Sequence, residues 1–236
     1  YGRALILAGR PTDARQVFDT ILKGDPDQRA QGERSIALLK MYQGTYGEAI
    51  ERFRKATLLS QAPRRELTEA RNRMFLASAQ QEKGWRDSAA AELRAAHALF
   101  RKAYFEPQFL LYLGKALVLG QQLPLAVEVR DTLAKRVQPN NVKDRAFLMV
   151  LSGELALARG RADSAVGLLR AAYAHEETPY VAESLARALV AVGDFAGATR
   201  LYEAFGANAE LWYGMRWQEF GTRAFYAAAR VYERLS

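Results

Sequence analysis

Few residues in this sequence have the types and spacing that catalysis or metal binding would need. The two histidines, His97 and His175, lie far apart, each with no second histidine or carboxylate at helical spacing, so neither forms a metal pair nor an oriented general base. There is no cysteine, which removes disulfides, thiolate ligands and cysteine nucleophiles together. The phosphate-cradling string GxxxxGK, the dinucleotide string GxGxxG, the zinc-protease string HExxH and the serine elbow GxSxG are all absent. The acidic pair Glu176-Glu177 abuts Thr178-Pro179 at a helix end, where solvation is expected rather than paired acid and base work. The chain therefore reads as a non-enzyme, with no catalytic residue, no metal site and no cofactor.

Charge offers a second kind of chemistry. The 236 residues carry 34 Lys and Arg against 26 Asp and Glu, a formal charge of +8, with arginine outnumbering lysine 26 to 8. The densest basic run is Arg52, Arg54, Lys55, Arg64, Arg65, Arg71 and Arg73, but Glu51, Glu66 and Glu69 interrupt it. Acids within a helical turn of bases make a salt-bridged, solvated face, whereas phosphate tracking wants an uninterrupted stripe with stacking aromatics. Nucleic-acid binding by a helical repeat is the least favoured of the functional readings. No apolar run approaches the roughly 18 residues of a membrane span. The N-terminus shows no basic segment leading into an apolar stretch and a cleavage site, so a soluble segment is expected, cytoplasmic or periplasmic.

The elements that must position any binding residues are helices. Half of the residues are apolar, only 7 are proline, and β-branched residues never gather into alternating runs. A short phrase recurs: a glycine break, an alanine five residues on, and an aromatic or aliphatic residue four further on. It is found at Gly9, Ala14 and Phe18; Gly44, Ala49 and Phe53; Gly84, Ala89 and Leu93; Gly160, Ala165 and Leu169; and Gly193, Ala198 and Tyr202. A sixth, irregular copy puts Gln121, next to Gly120, at the break before Ala126 and Leu133. Successive breaks at 9, 44, 84, 121, 160 and 193 lie 35, 40, 37, 39 and 33 residues apart, the length of two helices and two turns. Seven residues before a break stands a small residue, such as Ala37, Ala77, Gly114 or Ala186, which lets two helices approach closely. Helix starts are expected at Asp25-Pro26-Asp27, Ala62-Pro63, Glu106-Pro107, Gln138-Pro139-Asn140-Asn141 and Thr178-Pro179.

This combination resembles tetratricopeptide repeats over essentially the whole chain. The resemblance implies an all-α fold: an α-solenoid, a right-handed superhelix of stacked antiparallel helix pairs, with about 13 helices. The expected division is a single array over 1–236, with repeats at 1–26, 27–62, 63–106, 107–139, 140–177 and 178–208 and a partial, irregular one at 209–236. In that family the inner face is lined by first-helix residues about six and ten before each break. By matching offsets this implies a partner-binding concave face at Arg34, Leu38, Met74, Ser78, Leu111, Lys115, Val150, Glu154, Glu183 and Arg187, with Arg71 and Arg223 one turn earlier. Leu38, Leu111 and Val150 are also natural core positions. The lysines and asparagines of the family's carboxylate clamp are missing, which favours an extended or helical peptide as ligand. The spacing of 33 to 43 residues, the last counted from Gly193 to Ser236 where the next break would fall, departs from the family's usual 34.

A second candidate surface is the segment ELWYGMRWQEF, which gathers Trp212, Tyr213, Trp217 and Phe220, rings suited to a binding hot spot or to folding back on the last repeat. The chain starts and stops in mid-repeat, so it is expected to be a piece of a longer array or polypeptide. The expected function is a scaffold for a protein or peptide partner. The alternative is a regulatory or sensory arm, since ALVAVGDFAGATRLYEAF and AFYAAARVYERLS also resemble repeat regions of large bacterial proteins attached to serine/threonine kinases and transcriptional regulators. The repeat register makes one direct prediction. Ala198→Leu overpacks the last helix pair and lowers unfolding free energy by about 1–3 kcal/mol. An unchanged melting curve would refute the register.

Overall fold

The computed structural model describes residues 2–207 and 228–234. Among them are twelve α-helices and a further helical segment at 228–234, with no strand. In chain order they are α1 (Gly2–Leu7), α2 (Pro11–Ile21), α3 (Pro26–Tyr42), α4 (Tyr46–Leu59), α5 (Glu66–Glu82) and α6 (Arg86–Phe100), then α7 (Pro107–Leu119), α8 (Leu123–Arg136), α9 (Val142–Ala158), α10 (Ala162–His175), α11 (Pro179–Ala191) and α12 (Phe195–Ala207). They pair as successive hairpins. Two compact units result: α1 to α6, and α7 to α12 with the 228–234 helix.

Each hairpin reverses at one residue in the left-handed backbone region. Those residues are Gly9, Gly44, Gly84, Gln121, Gly160 and Gly193, with φ of 70°, 74°, 76°, 59°, 73° and 82°. The hydrogen bonds are the same at each turn. At the fourth, the Gln122 amide donates to the Leu117 carbonyl at 2.8 Å and the Gln121 amide to Val118 at 3.0 Å; at the last, Asp194 donates to Leu189 at 2.9 Å and Gly193 to Val190 at 3.1 Å. This paired closure satisfies the orphan carbonyls of the first helix and launches the second. Glycine suits the position because a side chain there meets backbone strain. Gln121 holds the same conformation without that freedom.

Helix starts follow local chemistry. The Asp25 side chain accepts from the Gln28 amide at 2.9 Å while Gln28 returns a bond to the Asp25 amide at 3.0 Å, a reciprocal cap ahead of Pro26. Asn141 caps α9 through the Asp144 amide at 3.1 Å. Ala62-Pro63 does not open α5 as expected. Pro63 sits in a turn that passes through Arg64 at φ 65°, and the helix begins at Glu66.

The alanines five residues after each break, Ala14, Ala49, Ala89, Ala126, Ala165 and Ala198, are all buried. So are their aromatic or aliphatic companions Phe18, Phe53, Leu93, Leu133, Leu169 and Tyr202. In the first unit Phe53 of α4 stacks on Phe75 of α5, with ring centres 5.7 Å apart, within a core that also holds Leu38, Met41, Ile50 and Leu76. In the second unit a Cβ on Gly114 of α7 would come within 2.5 Å of the Leu151 side chain on α9, and one on Gly153 within 2.6 Å of Leu169 on α10. The close approach of these helices thus depends on small residues seven before a break. The aromatic segment with Trp212, Tyr213, Trp217 and Phe220, and likewise Arg223, lie outside the described residues.

The turn geometry predicts that Gln121→Gly relieves left-handed strain and raises unfolding stability by about 1 kcal/mol. Chemical denaturation of the two proteins measures this; an equal or lower midpoint for the glycine variant would contradict the account.

Candidate functional site

Lys115, Glu154 and Arg187 occupy the same repeat position, six residues before the breaks at 121, 160 and 193. They therefore lie at matching heights on α7, α9 and α11, and α9 packs against both of the others. The result is an alternating row of charge. Lys115 Nζ lies 3.3 Å from Glu154 Oε1, and Arg187 Nη2 donates to the same oxygen at 2.5 Å. Glu183, one helical turn before Arg187, accepts from Arg187 Nε at 2.6 Å and from Lys115 Nζ at 2.6 Å. Ser184 completes the group, accepting from Lys115 at 2.8 Å and donating to Glu154 at 2.6 Å. Lys115 Nζ also sits 4.0 Å from the centre of the Tyr180 ring, whose other neighbour is Tyr112 in an edge-on contact at 5.5 Å.

Two cations and two carboxylates balance, and the balance is what makes burial tolerable. The Lys115 and Glu154 side chains are fully buried and that of Glu183 nearly so. Burial pushes the Glu154 carboxyl upward, but Arg187 and Lys115 outweigh it and hold the group at about 2, below its ordinary 4.5. Glu183 is lowered for the same reasons, burial being overcome by Arg187 and Lys115 against the opposing charge of Glu154. Arg187 is held protonated: burial works against its charge, and the two carboxylates more than offset it.

The first unit carries a different polar core. Arg34 of α3 donates to Asn72 Oδ1 at 3.0 Å, and Asn72 donates to Ser60 Oγ at 2.7 Å and to the Ala56 carbonyl at 3.0 Å. Of the residues expected to line an open face there, Arg34, Leu38, Met74 and Ser78 are buried and Arg71 is half-buried. In the second unit Leu111 and Val150 are core, and the charged four meet in one interior cluster. These positions thus turn inward on neighbouring helices. Within the interrupted basic run, local spacing accounts for Arg54 with Glu51 at 2.6 Å and Arg73 with Glu69 at 2.8 Å, while Arg73 with Glu92 at 2.6 Å, and Arg52 with Glu33 and Arg65 with Asp27 at 3.0 Å each, are pairs between distant parts of the chain.

Arg187 alone of the cluster keeps a surface, its side chain 28% exposed. It forms one wall of a cavity of about 340 Å³ whose other walls are Val190, Tyr202, Arg230, Val231 and Arg234. Among the described residues three arginines and no carboxylate line this opening. The positions chosen by offset include Arg187 but neither Arg230 nor Arg234, and Tyr202 enters the sequence pattern only as the apolar residue nine after Gly193. Among the described residues no group of histidines or carboxylates is arranged to hold a metal ion, and no helix is long and apolar enough to cross a membrane.

The fold is that of a tetratricopeptide-like α-solenoid. The TPR-like repeats of a putative kinesin light chain from Podospora anserina match 83% of this chain over 97% of their own, at 22% identity and a TM-score of 0.50. BtubC from P. vanneervenii matches 87% of the chain over 91% of its own, at 16% identity and a TM-score of 0.54. Cut9, from the APC/C hetero-tetramer Cut9-Hcn1, matches 98% of the chain at 17% identity and a TM-score of 0.55, the chain spanning 41% of its length. No protein-family model matches the sequence, and no curated protein matches it significantly.

The interior cluster predicts a large penalty for breaking it. Lys115→Met leaves two buried carboxylates with one cation and lowers unfolding free energy by about 3–5 kcal/mol. Because both carboxyls are held below their ordinary values, their contribution is present above about pH 4.5 and is lost as pH falls toward 2. Urea titrations of the wild type and of Lys115→Met at pH 7 and pH 3 measure both effects. A gap between the proteins that does not shrink in acid would rule out the electrostatic explanation.

Proposed function

We propose that this chain is a non-catalytic scaffold that holds a protein or peptide partner. The carrying observation is how its ionisable residues are used. At the positions shared by successive hairpins they neutralise one another inside the second unit, and in the first unit they are hydrogen-bonded between helices. A catalytic site needs an acid, base or nucleophile held open to substrate with a tuned pKa. Here the strongly shifted carboxyls are committed to buried ion pairs, and the arginine-lined opening beside Arg187 suits binding. The fold supports the same reading, since a repeat array presents many side chains on stacked hairpins without requiring any to react. Cut9, which shares this fold, is assembled with Hcn1 in a hetero-tetramer.

The first-helix positions chosen by offset enter this reading as supports, with Arg187 the member open to a ligand. The test is reconstitution. The chain is immobilised, a retained protein is identified and purified, and the pair is run together by size-exclusion chromatography with light scattering. A complex of fixed stoichiometry with saturable affinity is the expected result. Retention that never saturates, or turnover of a small molecule by the chain alone, would overturn the scaffold reading.

A further inference from the structure

The cavity beside Arg187 has features that go beyond a generic scaffold surface. Arg187 on α11 and Arg230 and Arg234 on the 228–234 helix bring three arginines to one opening, with Val190 and Val231 as its apolar walls. The three are compensated to different degrees. Arg187 is already met by Glu154 and Glu183, Arg230 lies 3.5 Å from Glu233 at an exposed site, and Arg234 stacks over the Phe195 ring with its carbon centre 5.5 Å from the ring centre. Arg187 is neutralised in the interior, whereas an exposed pair such as Arg230 and Glu233 is weak and exchangeable.

Tyr202 supplies an independent observation. Its side chain lines the cavity, the residue is only 5% exposed, and its hydroxyl has no hydrogen-bond partner among the described residues. A buried hydroxyl without a partner is costly and asks for one. Burial, reinforced by Glu183 and opposed by Arg187, pushes this phenol up to about 12, so it remains a donor at neutral pH. A donor hydroxyl on a residue that shares its cavity with three arginines matches an oxyanion with several acceptor oxygens.

The geometry points to a binding site for a phosphomonoester carried on the partner peptide, held by Arg230, Arg234 and the Tyr202 hydroxyl with Arg187 as a fixed wall. This rests on the scaffold reading and names the chemistry its partner would bear. A phosphomonoester carries a charge of about −1.5 to −2 and three acceptor oxygens, enough to engage two guanidinium groups and a phenol at once. A carboxylate offers half that charge and fewer directions. The valines suit the methylene of the phosphorylated side chain, and the volume of about 340 Å³ falls within the roughly 300–1,000 Å³ of ligand pockets.

The test uses the full chain and isothermal titration with three probes: inorganic phosphate, a blocked Ala-phosphoserine-Ala tripeptide, and its unphosphorylated counterpart. The phosphotripeptide is expected to bind at least 10-fold more tightly than the unphosphorylated form, with Arg230→Ala and Arg234→Ala each weakening it 5-fold or more. Tyr202→Phe should weaken it several-fold while leaving the melting temperature equal or higher, because it deletes a hydroxyl that lacks a partner in the free protein. Equal binding of the two tripeptides, or phosphate binding unaffected by the three variants, would overturn the proposal. Binding of inorganic phosphate without the phosphotripeptide would equally remove the peptide assignment. The scaffold reading is judged separately: a purified partner bound equally well after phosphatase treatment and by Arg234→Ala leaves the scaffold standing and eliminates this site.

Discussion

The architecture depends on one backbone constraint, a reversal through a left-handed residue at which the amide after the turn reaches back five residues. Once that bond forms, the second helix of each hairpin leaves in a fixed direction relative to the first. The alanine five residues after the break is then buried, and the small residue seven before a break lies against a neighbouring helix, α9 for Gly114 and α10 for Gly153. These approaches are close because the residues are small, so the larger rings and aliphatic chains fill the space beside them. The hairpin is thus specified locally, and its repetition places equivalent positions of successive first helices side by side.

That constraint explains why the fold was legible in the sequence. A left-handed residue selects glycine, and five of the six turns carry one. The exception is instructive, because the five-residue spacing to Ala126 points to Gln121 over the neighbouring Gly120, and the backbone follows that spacing. Geometry inherited from the packed hairpin overrides the local preference of one residue. At Pro63 the reverse happened: the proline signal was real, but it belongs to a turn with Arg64 in the left-handed region, three residues ahead of α5.

The candidate site was half legible. Offsets from the breaks selected Lys115, Glu154, Glu183 and Arg187, and these four do meet, because equal offsets mean equal heights on stacked helices. Periodicity fixes which way a side chain points and says nothing of how deeply the next helix covers it. Most of the described positions read as an open lining are consequently interior ones, Lys115 to the point of complete burial, while Arg71 and Arg187 stay partly exposed. Ser184 and Tyr180 could not be found this way, since a serine and a tyrosine carry no signal until a lysine is known to lie against them. The wall formed by Arg230 and Arg234 depends on where the 228–234 helix lies, which no spacing within a repeat reports.

A row of alternating charge inside a helical core has a further physical consequence. Apolar side chains at these positions would tolerate small slips of one first helix along another, because one aliphatic surface resembles the next. Buried charges do not: a slip of one turn would leave Glu154 facing neither Lys115 nor Arg187, at a cost of several kcal/mol. The cluster therefore fixes the register of α7, α9 and α11 more sharply than their leucines can. It also fixes Arg187, which two carboxylates hold at Nη2 and Nε and which still presents part of its side chain to the cavity. A guanidinium immobilised in this way loses little conformational entropy when something binds beside it, and that preorganisation distinguishes it from the arginines on the exposed faces of the chain. The charges that make poor candidates for direct contact are thus the ones that give the neighbouring cavity its rigid wall.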